Sequence, residues 1–402
     1  MPRILRILNR LIIGGPSKNA IYLSRYLQPD FETLLVVGGK EDHEQDADFL
    51  ASSNSIEPAC IPEMKRPISL ANDWAAYNKL KKLIKEFKPD IVHTHAAKSG
   101  ALGRLAAKHC NVPVIVHTFH GHVFHSYFNS LKTNLFIRTE RYLAGLSDAI
   151  VAISDVQKKE LSGHFRIAIE EKFRVIPLGL DLDNFTINQV EKRIKFREEF
   201  GLDDDTIAIG IIGRLVPVKN HSLFLRALKY VLSNTNVKVK AFIIGDGESR
   251  AGIERLANSL EIKFSHHRDS EHRHPLIFTS WRTDVDTICA GVDIIALTSL
   301  NEGTPVSLIE AQAAGKPIVS TRVGGIADVV LESKTALLSD ITNEKVFSEN
   351  LLQLVNDPAL RQKFSNAGKD HVLSKFGYQR LVSDMSSLYH DLLDRKKYLN
   401  KR

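Results

Sequence analysis

Short apolar runs alternate with amphipathic segments along nearly the whole chain. Six runs of strand length lie in the first half, at 4–8, 31–38, 90–94, 114–117, 148–153 and 172–177. Five more lie in the second half, at 207–212, 238–244, 275–278, 292–298 and 317–321. Between them, apolar residues recur at helical spacing, for example in 74–87 and 221–232. Strands that alternate with helices predict an α/β protein built from doubly wound parallel sheets.

One interruption of this alternation predicts two domains. The periodicity disappears from 178 to 184, and a charged segment then continues to Gly201. We place an N-terminal domain at 1–185 and a C-terminal domain at 186–379, with the final helix, 380–402, packing back on the first domain. A length of 402 residues is sufficient for two sizeable cores. Because arginines interrupt the apolar residues near the start, we interpret 4–8 as a strand rather than a signal peptide.

Composition narrows the class of protein without identifying it. Hydrophobic residues make up 43% of the chain and charged residues 25%, as is typical of globular proteins. No apolar run approaches the roughly 20 residues that a membrane-spanning helix needs. The three cysteines have no metal-ligand spacing and suit a reducing cytoplasm. No basic patch is interleaved with aromatic residues, so nucleic acid is not an expected partner.

The net charge of +7 is unevenly distributed. Lysines cluster within 79–88 and in the tail 396–402, where they either bind an anionic membrane surface or form solvated helix faces. Each cluster taken alone favours the solvated face. The pattern predicts an amphipathic helix at 127–143, suited either to core packing or to membrane or lipid-acceptor contact. Its apolar residues are Phe128, Leu131, Leu135, Phe136 and Ile137. Peripheral contact with an anionic membrane is therefore an open expectation.

The stretch 299–315 joins an apolar strand to a helix and carries the strongest chemical pattern. Pro305 suits the first turn of that helix, which we place at 306–314. Glu302 lies in the loop before the helix, and Glu310 lies inside it. Free backbone N–H groups at the helix start, around Val306 and Ser307, attract an anion such as a diphosphate.

Two cations follow another strand of the second half. Arg214 and Lys219 come after the strand that ends at 212, where fixed positive charges can neutralise a diphosphate. Glu302 and Glu310 suit hydroxyl donors rather than phosphates, so we expect them to hold sugar or ribose hydroxyls. Each of these residues, considered alone, is better explained as a member of a surface ion pair than as a ligand-binding residue. Together, the cations, the helix start and the two acids indicate a nucleotide-sugar site.

The first half contains weaker signals of the same kind. Gly14 and Gly15 form a turn between a strand and a helix, an arrangement that favours phosphate. His120 follows a strand end, and we expect it to face the ligand, whereas we interpret His117 and His122 as structural. A histidine-rich loop at 266–274 has no carboxylate or cysteine at metal-ligand spacing, so we interpret it as an exposed polar loop.

These motifs resemble those of the GT-B glycosyltransferases, the large retaining group known as family four. Glu302 and Glu310 match the Glu-x7-Glu element of that family, which is its specific signature. The resemblance extends over nearly the whole chain through weaker elements: Gly213-Arg214-Leu215 with Lys219, 244–248, 313–317, Gly324-Gly325, 176–181, Thr118-Phe119-His120 and Gly14-Gly15. The segment 279–281 departs from the family, which commonly has a glycine there.

The resemblance implies roles for individual residues. Arg214 and Lys219 would bind the diphosphate, Glu302 the donor sugar and Glu310 the ribose, with His120 beside the sugar. Other donor-binding residues implied are Gly15, Gly213, Gly303, Thr304, Val306 and Ser307. Two Rossmann-like domains would face a central cleft and transfer sugar with retention of configuration by front-face displacement. No metal or other cofactor is expected, and no Asp-x-Asp follows a strand end, because 181–183 and 284–286 lie in a linker and a helix start.

The expected substrates are a nucleotide-sugar, with UDP as the expected base, and a glycan or polyprenyl-linked acceptor in surface polysaccharide biosynthesis. The expected location is the cytoplasm, with a peripheral position on the inner membrane face as the open alternative. Two other functions are weighed against this one. A nucleotide-sugar 2-epimerase shares the architecture but needs paired acid and base side chains, and only histidines are found in the first half. A non-catalytic scaffold would not require both glutamates and both cations.

Overall fold

The computed structural model describes residues 1–12, 14–40, 47–65, 67–121, 130–267, 269 and 273–399. The chain divides into two compact units. The first unit comprises Met1–Leu180 and the chain from Phe376 onward, and the second comprises Asp181–Lys375. The sequence places this boundary at 185/186, five residues further along the chain.

The first unit is built on a parallel sheet of seven strands, in the order β3-β2-β1-β4-β5-β6-β7. Its strands are β1 (Arg3–Leu8), β2 (Glu32–Gly38), β3 (Ala59–Ile61), β4 (Ile91–His95), β5 (Val114–Phe119), β6 (Ala149–Ala152) and β7 (Phe173–Val175). Its first helices are α1 (Gly15–Tyr26), α2 (Asp48–Ser53), α3 (Leu70–Phe87), α4 (Ala97–His109), α5 (Ser130–Leu146) and α6 (Asp155–Lys159).

The second unit repeats this architecture with another parallel seven-stranded sheet, in the order β10-β11-β9-β8-β12-β13-β14. Its strands are β8 (Ile207–Ile212), β9 (Val239–Ile244), β10 (Phe264–His266), β11 (Leu276–Ser280), β12 (Ile294–Leu297), β13 (Ile318–Thr321) and β14 (Ala336–Ser339). Its helices are α7 (Gln189–Glu199), α8 (His221–Asn234), α9 (Arg250–Ser259), α10 (Val285–Gly291), α11 (Val306–Ala313), α12 (Ile326–Val329), α13 (Glu344–Asn356) and α14 (Pro358–Phe376).

The chain returns to the first unit through its last helix, α15 (Tyr378–Leu399). The backbone of Leu180 bonds to Phe376 and Tyr378 at the crossing, at 2.8 and 3.0 Å. Leu381, Met385, Leu388 and Tyr389 of α15 lie in one buried cluster with Ile4, Phe31 and Val114, as parts of the core that covers one face of the first sheet. This burial of an apolar helix face explains why the last helix joins the first unit.

Alternation of side chains along the buried strands gives each sheet two covered faces. Ile4 of β1 packs with α15, whereas its neighbour Leu5 packs with α3 and α4 on the opposite face. Helices on both faces of a parallel sheet are the arrangement that the sequence pattern predicts, and the prediction of two doubly wound parallel sheets is confirmed. The sequence analysis missed three short strands, β3, β10 and β14, because three or four residues are too few to show a period.

Some predicted boundaries differ from the observed ones. Helix α1 begins at Gly15, within the predicted glycine turn, because Pro16 suits a first helical turn and needs no N–H partner. Helix α11 begins at Val306, as predicted, with Pro305 as its N-cap, and it ends at Ala313, one residue before the predicted end. Helix α5 begins at Ser130, so the predicted helical residues 127–129, including Phe128, lie outside the described residues, as does the side chain of Leu131.

Candidate functional site

Each sheet reverses its strand order beside its first strand, β1 or β8, and most of the predicted site residues follow the strands at these reversals, whereas His120 follows β5. In the second unit, β8 is connected to β9 on one side, whereas β12 lies on its other side and continues to β13. In parallel α/β sheets, ligands bind in the crevice that such a reversal opens beyond the carboxyl ends of the strands. The loop after β8 carries Arg214 and Lys219, and the loop after β12 carries Glu302.

Lys219 and Glu302 are bonded directly to each other. Lys219 closes a single 3₁₀ turn, and its Nζ lies 2.5 Å from Oε1 of Glu302. The hydroxyl of Ser299 donates to the same oxygen at 2.5 Å. The two side chains of the pair are only 19% and 11% exposed. The family resemblance implies that these residues bind different groups of a ligand, and the direct bond between them is an additional contact that the sequence pattern does not predict.

The loops that carry this pair are joined by backbone and side-chain bonds. The Thr298 hydroxyl donates to the Lys219 carbonyl at 2.8 Å, and the Leu300 N–H donates to the Val218 carbonyl at 2.7 Å. The Thr321 hydroxyl of β13 donates to the Ser299 carbonyl at 2.7 Å. These bonds hold Lys219 and Glu302 in a defined position although they are 83 residues apart in the chain.

Arg214 differs from Lys219 in its surroundings. Its side chain is exposed, and it forms no ion pair within the described part of the chain. The backbone beneath it is tightly packed: the Gly213 N–H donates to the Ile244 carbonyl and the Leu215 N–H to the Asp246 carbonyl, both at 2.9 Å. The guanidinium therefore extends from a rigid loop with its donors available to a ligand.

The start of α11 follows the Glu302 loop, beyond the carboxyl end of β12. The first turn of any α-helix has backbone N–H groups without partners inside the helix, and here these include Val306 and Ser307, both half-buried. Gly303 and Thr304 precede that turn, exposed and half-buried respectively. Glu310 lies further along the helix and is only 6% exposed. The arrangement combines anion-attracting N–H groups with two carboxylates on one strand-helix connection.

The glycine pair after β13 has a steric explanation. Gly324 has a φ of +49°, in the left-handed region, and a Cβ there would stand 2.0 Å from the Glu302 carbonyl oxygen. A Cβ on Gly325 would stand 1.8 Å from the Gly303 carbonyl oxygen. The Gly325 N–H donates to the Glu302 carbonyl at 3.0 Å. The two glycines therefore allow the 322–326 loop to support the loop that carries Glu302.

The segment that departs from the resembled family also adopts an unusual backbone. Ser280 has a φ of +59°, a conformation that glycine adopts more easily. Its hydroxyl donates to Oδ2 of Asp246 at 2.6 Å, and Arg250 donates to the same oxygen at 2.8 Å. The neighbouring Trp281 is 43% exposed at the carboxyl edge of β11. A hydrogen bond from the serine side chain thus accompanies a backbone shape that a glycine would otherwise supply.

In the first unit, His120 belongs to a buried polar network that the sequence analysis missed. Nε2 of His120 lies 2.8 Å from Nδ1 of His95, and Nε2 of His95 lies 3.3 Å from Nη1 of Arg6. His93 and Tyr389 complete the network around Arg6. Burial lowers the pKa of His120 to about 3, so its ring is neutral at pH 7. Burial also holds the pKa of His93 and of His95 well below the ordinary value.

A signal for this network was present in the sequence. Arg6 stands inside an apolar run, and His93 and His95 alternate along a strand that is buried on both faces. A wholly buried parallel strand is normally apolar throughout, so polar residues at positions i and i+2 indicate a shared polar interior. The partner on α15, Tyr389, lies 383 residues from Arg6 and had no such signal.

The other predicted residues of the first unit are placed as follows. His117 is fully buried, and its Nδ1 lies 2.8 Å from the Thr94 hydroxyl, in agreement with a structural role. His122 lies outside the described residues, as do Arg268 and His272 of the histidine-rich loop. Gly15 is the first residue of α1, at the carboxyl end of β1.

The surface features proposed for membrane contact are partly engaged within the protein. Lys79 pairs with Glu63 at 2.5 Å, and Lys82 lies 3.8 Å from Glu86. Phe136 and Ile137 of α5 pack against the core, whereas Leu135 is 66% exposed. The start of α3 and the residues before it expose large apolar side chains, those of Ile68, Leu70 and Trp74. Within the described residues, no helix is long and apolar enough to span a bilayer.

Comparison with known proteins places the chain in a family. The model for Glycosyl transferases group 1 matches residues 192–371, and the model for Glycosyltransferase Family 4 matches residues 13–184. A protein of Escherichia coli, UDP-Gal:alpha-D-GlcNAc-diphosphoundecaprenol alpha-1,3-galactosyltransferase, is 30% identical over 352 residues, which cover 85% of this chain and 86% of that protein. The capsular polysaccharide biosynthesis glycosyltransferase CapM of Staphylococcus aureus is 24% identical over 341 residues, covering 84% of this chain and 86% of CapM.

Solved structures show the same fold. Anabaena Alr3699/HepE in complex with UDP superposes with a TM-score of 0.80 at 17% identity, covering 97% of this chain and 100% of that one. Two parallel α/β sheets, with cations and a helix start at the strand reversal of the second, define a glycosyltransferase of the GT-B type. The chain belongs to the group 1 glycosyltransferases, of the family-four type, over nearly its whole length.

Proposed function

We propose that this glycosyltransferase moves a sugar from a UDP-sugar to a hydroxyl of a polyprenyl-diphosphate-linked glycan, with retention of the anomeric configuration. The observation that carries the proposal is the convergence of Arg214, Lys219 and the start of α11 at the strand reversal of the second sheet. A diphosphate carries charge in the ground state and more charge when its bond to the sugar breaks. Two cations and a helix start can stabilise the charge of the bound diphosphate and also the charge that develops as the bond to the sugar breaks.

In this proposal the donor occupies the loops after β8 and β12. Arg214 and Lys219 bind the diphosphate, with the N–H groups of Val306 and Ser307 on its other side and Gly213, Gly303 and Thr304 lining the approach. Glu310 binds the ribose hydroxyls. The family resemblance assigns Gly15 to diphosphate binding and His120 to the donor sugar. Each assignment follows the family resemblance. Glu310 lies within α11, and the other residues lie on a loop after a strand or at a helix start, where ligands of parallel α/β sheets bind.

Glu302 binds a hydroxyl of the donor sugar while it stays bonded to Lys219. Only Oε1 of Glu302 is used by Lys219 and Ser299, and a carboxylate has about four lone-pair sites. The second oxygen can therefore accept a sugar hydroxyl without breaking the ion pair. The same pair orients Lys219, whose ammonium has three donors, so that a further donor can point at the diphosphate.

The proposed chemistry is a front-face displacement without a metal ion. The departing diphosphate oxygen helps to deprotonate the incoming hydroxyl, while Arg214, Lys219 and the helix start stabilise its growing charge. The aspartates at 284 and 286 are engaged in separate ion pairs, with Arg282 at 2.6 Å and Lys192 at 2.9 Å. Because each of these carboxylates is already paired with a basic side chain, we assign the stabilisation of the leaving group to the protein's own cations.

The proposed acceptor comes from the relatives. The Escherichia coli relative takes its name from a diphosphoundecaprenol-linked acceptor, and the Staphylococcus aureus relative from capsular polysaccharide biosynthesis. A polyprenyl-linked acceptor lies in a membrane, so we propose peripheral contact of this chain with the inner face of the cytoplasmic membrane. Exposed Ile68, Leu70 and Trp74, close to the lysines of α3, supply apolar and basic groups for that contact.

The test is a transfer assay with a panel of UDP-, GDP- and ADP-sugars and a synthetic polyprenyl-diphosphate-linked N-acetylhexosamine as acceptor. We expect a mass increase of one sugar with one or two UDP-sugars only, and an α-linkage in the product by NMR. Donor incubated without acceptor is the parallel arm. Conversion of the donor into its 2-epimer in that arm, with no transfer in the first, would replace the transferase reaction with epimerisation.

A further inference from the structure

Arg6 is a buried arginine whose neighbours are histidines rather than carboxylates. Its side chain is fully buried on β1, and within the described residues it forms no ion pair. Nη1 of Arg6 lies 2.9 Å from Nδ1 of His93, 3.3 Å from Nε2 of His95 and 3.3 Å from the hydroxyl of Tyr389. A guanidinium has only donors and stays protonated in proteins, so an N–H on either of the two histidine nitrogens would point at another donor. Both histidine nitrogens are therefore unprotonated, and the two N–H groups of Nη1 are shared among the three atoms, while Nε and Nη2 of Arg6 have no hydrogen-bond partner within the described residues.

The acceptor role of His95 determines which nitrogen of the next ring carries a proton. Because an N–H at Nε2 of His95 would point at the donors of Arg6, 3.3 Å away, the proton of the neutral His95 ring is on Nδ1. That N–H points at Nε2 of His120, 2.8 Å away, so Nε2 of His120 is an acceptor as well. The proton of the neutral His120 ring is therefore on Nδ1. Two rings thus transmit the hydrogen-bond polarity of Arg6 to His120.

The branch through His93 has the same polarity. Nδ1 of His93 lies close to Arg6 and 2.5 Å from the Tyr389 hydroxyl, and the arginine requires this nitrogen to be unprotonated. The proton is then on Nε2, which donates a hydrogen bond to the Thr118 hydroxyl at 2.7 Å. The rings of His93 and His95 lie with centroids 4.3 Å apart. One guanidinium thus sets both branches, and neither branch requires a charged histidine.

The far end of this chain of bonds is an unused donor. Nδ1 of His120 is buried and has no hydrogen-bond partner within the described residues. A buried donor without a partner costs free energy unless a ligand or water satisfies it. Burial of the His120 ring lowers its pKa to about 3, so protonation of both nitrogens does not compete near pH 7.

We infer that Arg6 is a positioning residue that fixes the tautomer of His120, so that a neutral His120 presents an N–H at Nδ1 to the donor sugar. The part that concerns the sugar rests on the proposed function, whereas the tautomer does not. The tautomer that Arg6 favours makes Nδ1 of His120 a hydrogen-bond donor and prevents it from acting as an acceptor. His120 then binds a lone pair of a sugar oxygen, a requirement that adds directionality to sugar recognition.

The direct test is ¹⁵N–¹H correlation NMR of the protein with ¹⁵N-labelled histidine, with His120 assigned by its loss in His120→Gln. For the wild-type protein we expect a protonated-type shift at Nδ1 of His120 and an unprotonated-type shift at Nε2, with no titration between pH 6 and 8. The opposite tautomer, or a ring that titrates in that range, would overturn the inference without any variant of Arg6.

Variants of the network then test whether Arg6 is the cause. Arg6→Lys keeps a side chain with donors only and should preserve the tautomer, whereas Arg6→Gln offers an acceptor and should release it. Tyr389→Phe is the matched control inside the network, because it removes a contact of Arg6 but leaves the link from Arg6 to His95. Arg3→Gln repeats the substitution on the same strand in a half-exposed pair with Glu32. An unchanged His120 tautomer in folded Arg6→Gln would overturn the causal role.

Kinetics separate this inference from the proposed function. With Arg6→Gln we expect kcat/KM for the UDP-sugar to fall roughly tenfold, as for loss of one hydrogen bond, while Kd for UDP stays unchanged. UDP lacks the sugar, so its Kd does not depend on a contact between His120 and the sugar. A general loss of folding would raise the Kd for UDP as well. A tautomer that changes in Arg6→Gln without any change in transfer supports the role of Arg6 and removes His120 from the sugar site.

Discussion

Arg214 and Lys219 share a proposed role in catalysis, but the structure predicts different consequences for stability when each is replaced by alanine. Lys219 is bonded to Glu302 at 2.5 Å, and both side chains are largely buried. Arg214 is exposed and forms no ion pair within the described residues. Lys219→Ala should therefore lower both stability and transfer, whereas Arg214→Ala should lower transfer alone.

The size of the stability effect follows from the Lys219–Glu302 bond. A hydrogen bond between charged groups contributes about 1.5–3 kcal/mol net. Removal of the lysine leaves the Glu302 carboxylate, within the described residues, with the Ser299 hydroxyl as its side-chain hydrogen-bond partner. The second unit, Asp181–Lys375, is in the size range where 1 kcal/mol shifts Tm by about 2–4 °C. We expect Lys219→Ala to lower Tm by about 3–12 °C. An exposed, unpaired side chain such as that of Arg214 should change the free energy of unfolding by less than about 0.5 kcal/mol.

The effect on transfer should be similar for both variants. Loss of one group that stabilises charge in the transition state lowers the rate by about 10²–10³. The assays are thermal unfolding with and without UDP, and initial rates of sugar transfer. UDP at 100 times its Kd should raise the stability of the wild-type protein by about 2.7 kcal/mol. In Arg214→Ala the same UDP concentration should give a smaller rise, although the unliganded protein is as stable as the wild type.

Lys238→Ala is the matched control for these two variants. Lys238 immediately precedes β9, at the amino end of the sheet, and pairs with Asp203 and Asp205 while its side chain is 60% exposed. Exposed pairs of this kind contribute at most about 1 kcal/mol, so neither UDP binding nor transfer should change. Wild-type transfer in Arg214→Ala or Lys219→Ala would refute the assignment of the diphosphate site. A loss of stability in Arg214→Ala equal to that in Lys219→Ala would refute the contrast drawn from their contacts.

Three further predictions concern the acids, metal dependence and the membrane. Glu302→Gln and Glu310→Gln should fold with a nearly unchanged circular-dichroism spectrum and transfer sugar at least tenfold more slowly, because a carboxamide is a weaker acceptor for hydroxyls; wild-type rates in both would remove them from the donor site. Transfer should be unaffected by excess EDTA, and inactivation that Mn²⁺ or Mg²⁺ reverses would show that a divalent ion acts on the diphosphate. Trp74 and Trp281 are the two tryptophans of the chain. In Trp281→Phe, emission from Trp74, which is 66% exposed, should shift to shorter wavelength with anionic vesicles at low salt but not with neutral ones; an equal response to both vesicle types would contradict a charge-dependent contact.

The sequence by itself determined the fold class and which candidate residues of the second unit follow the ends of strands. Apolar runs of strand length that alternate with amphipathic helices leave few arrangements other than covered parallel sheets, because each element must bury its apolar side against another. Parallel strands all end at the same edge, so residues that follow strand ends gather there whichever strands are neighbours. Arg214, Lys219 and Glu302 could therefore be assigned to one edge of the sheet from the sequence alone.

Contacts between distant strands were decided only by the tertiary structure. The bond between Lys219 and Glu302 depends on β8 and β12 being neighbours, and strand order is not encoded in local periodicity. The polar network of Arg6 depends on the pairing of β1 with β4 and on the return of α15 to the first unit. Whether Arg6 meets a carboxylate or a histidine is set by packing among segments hundreds of residues apart, and the hydrogen-bond polarity it imposes on His120 follows from that packing alone.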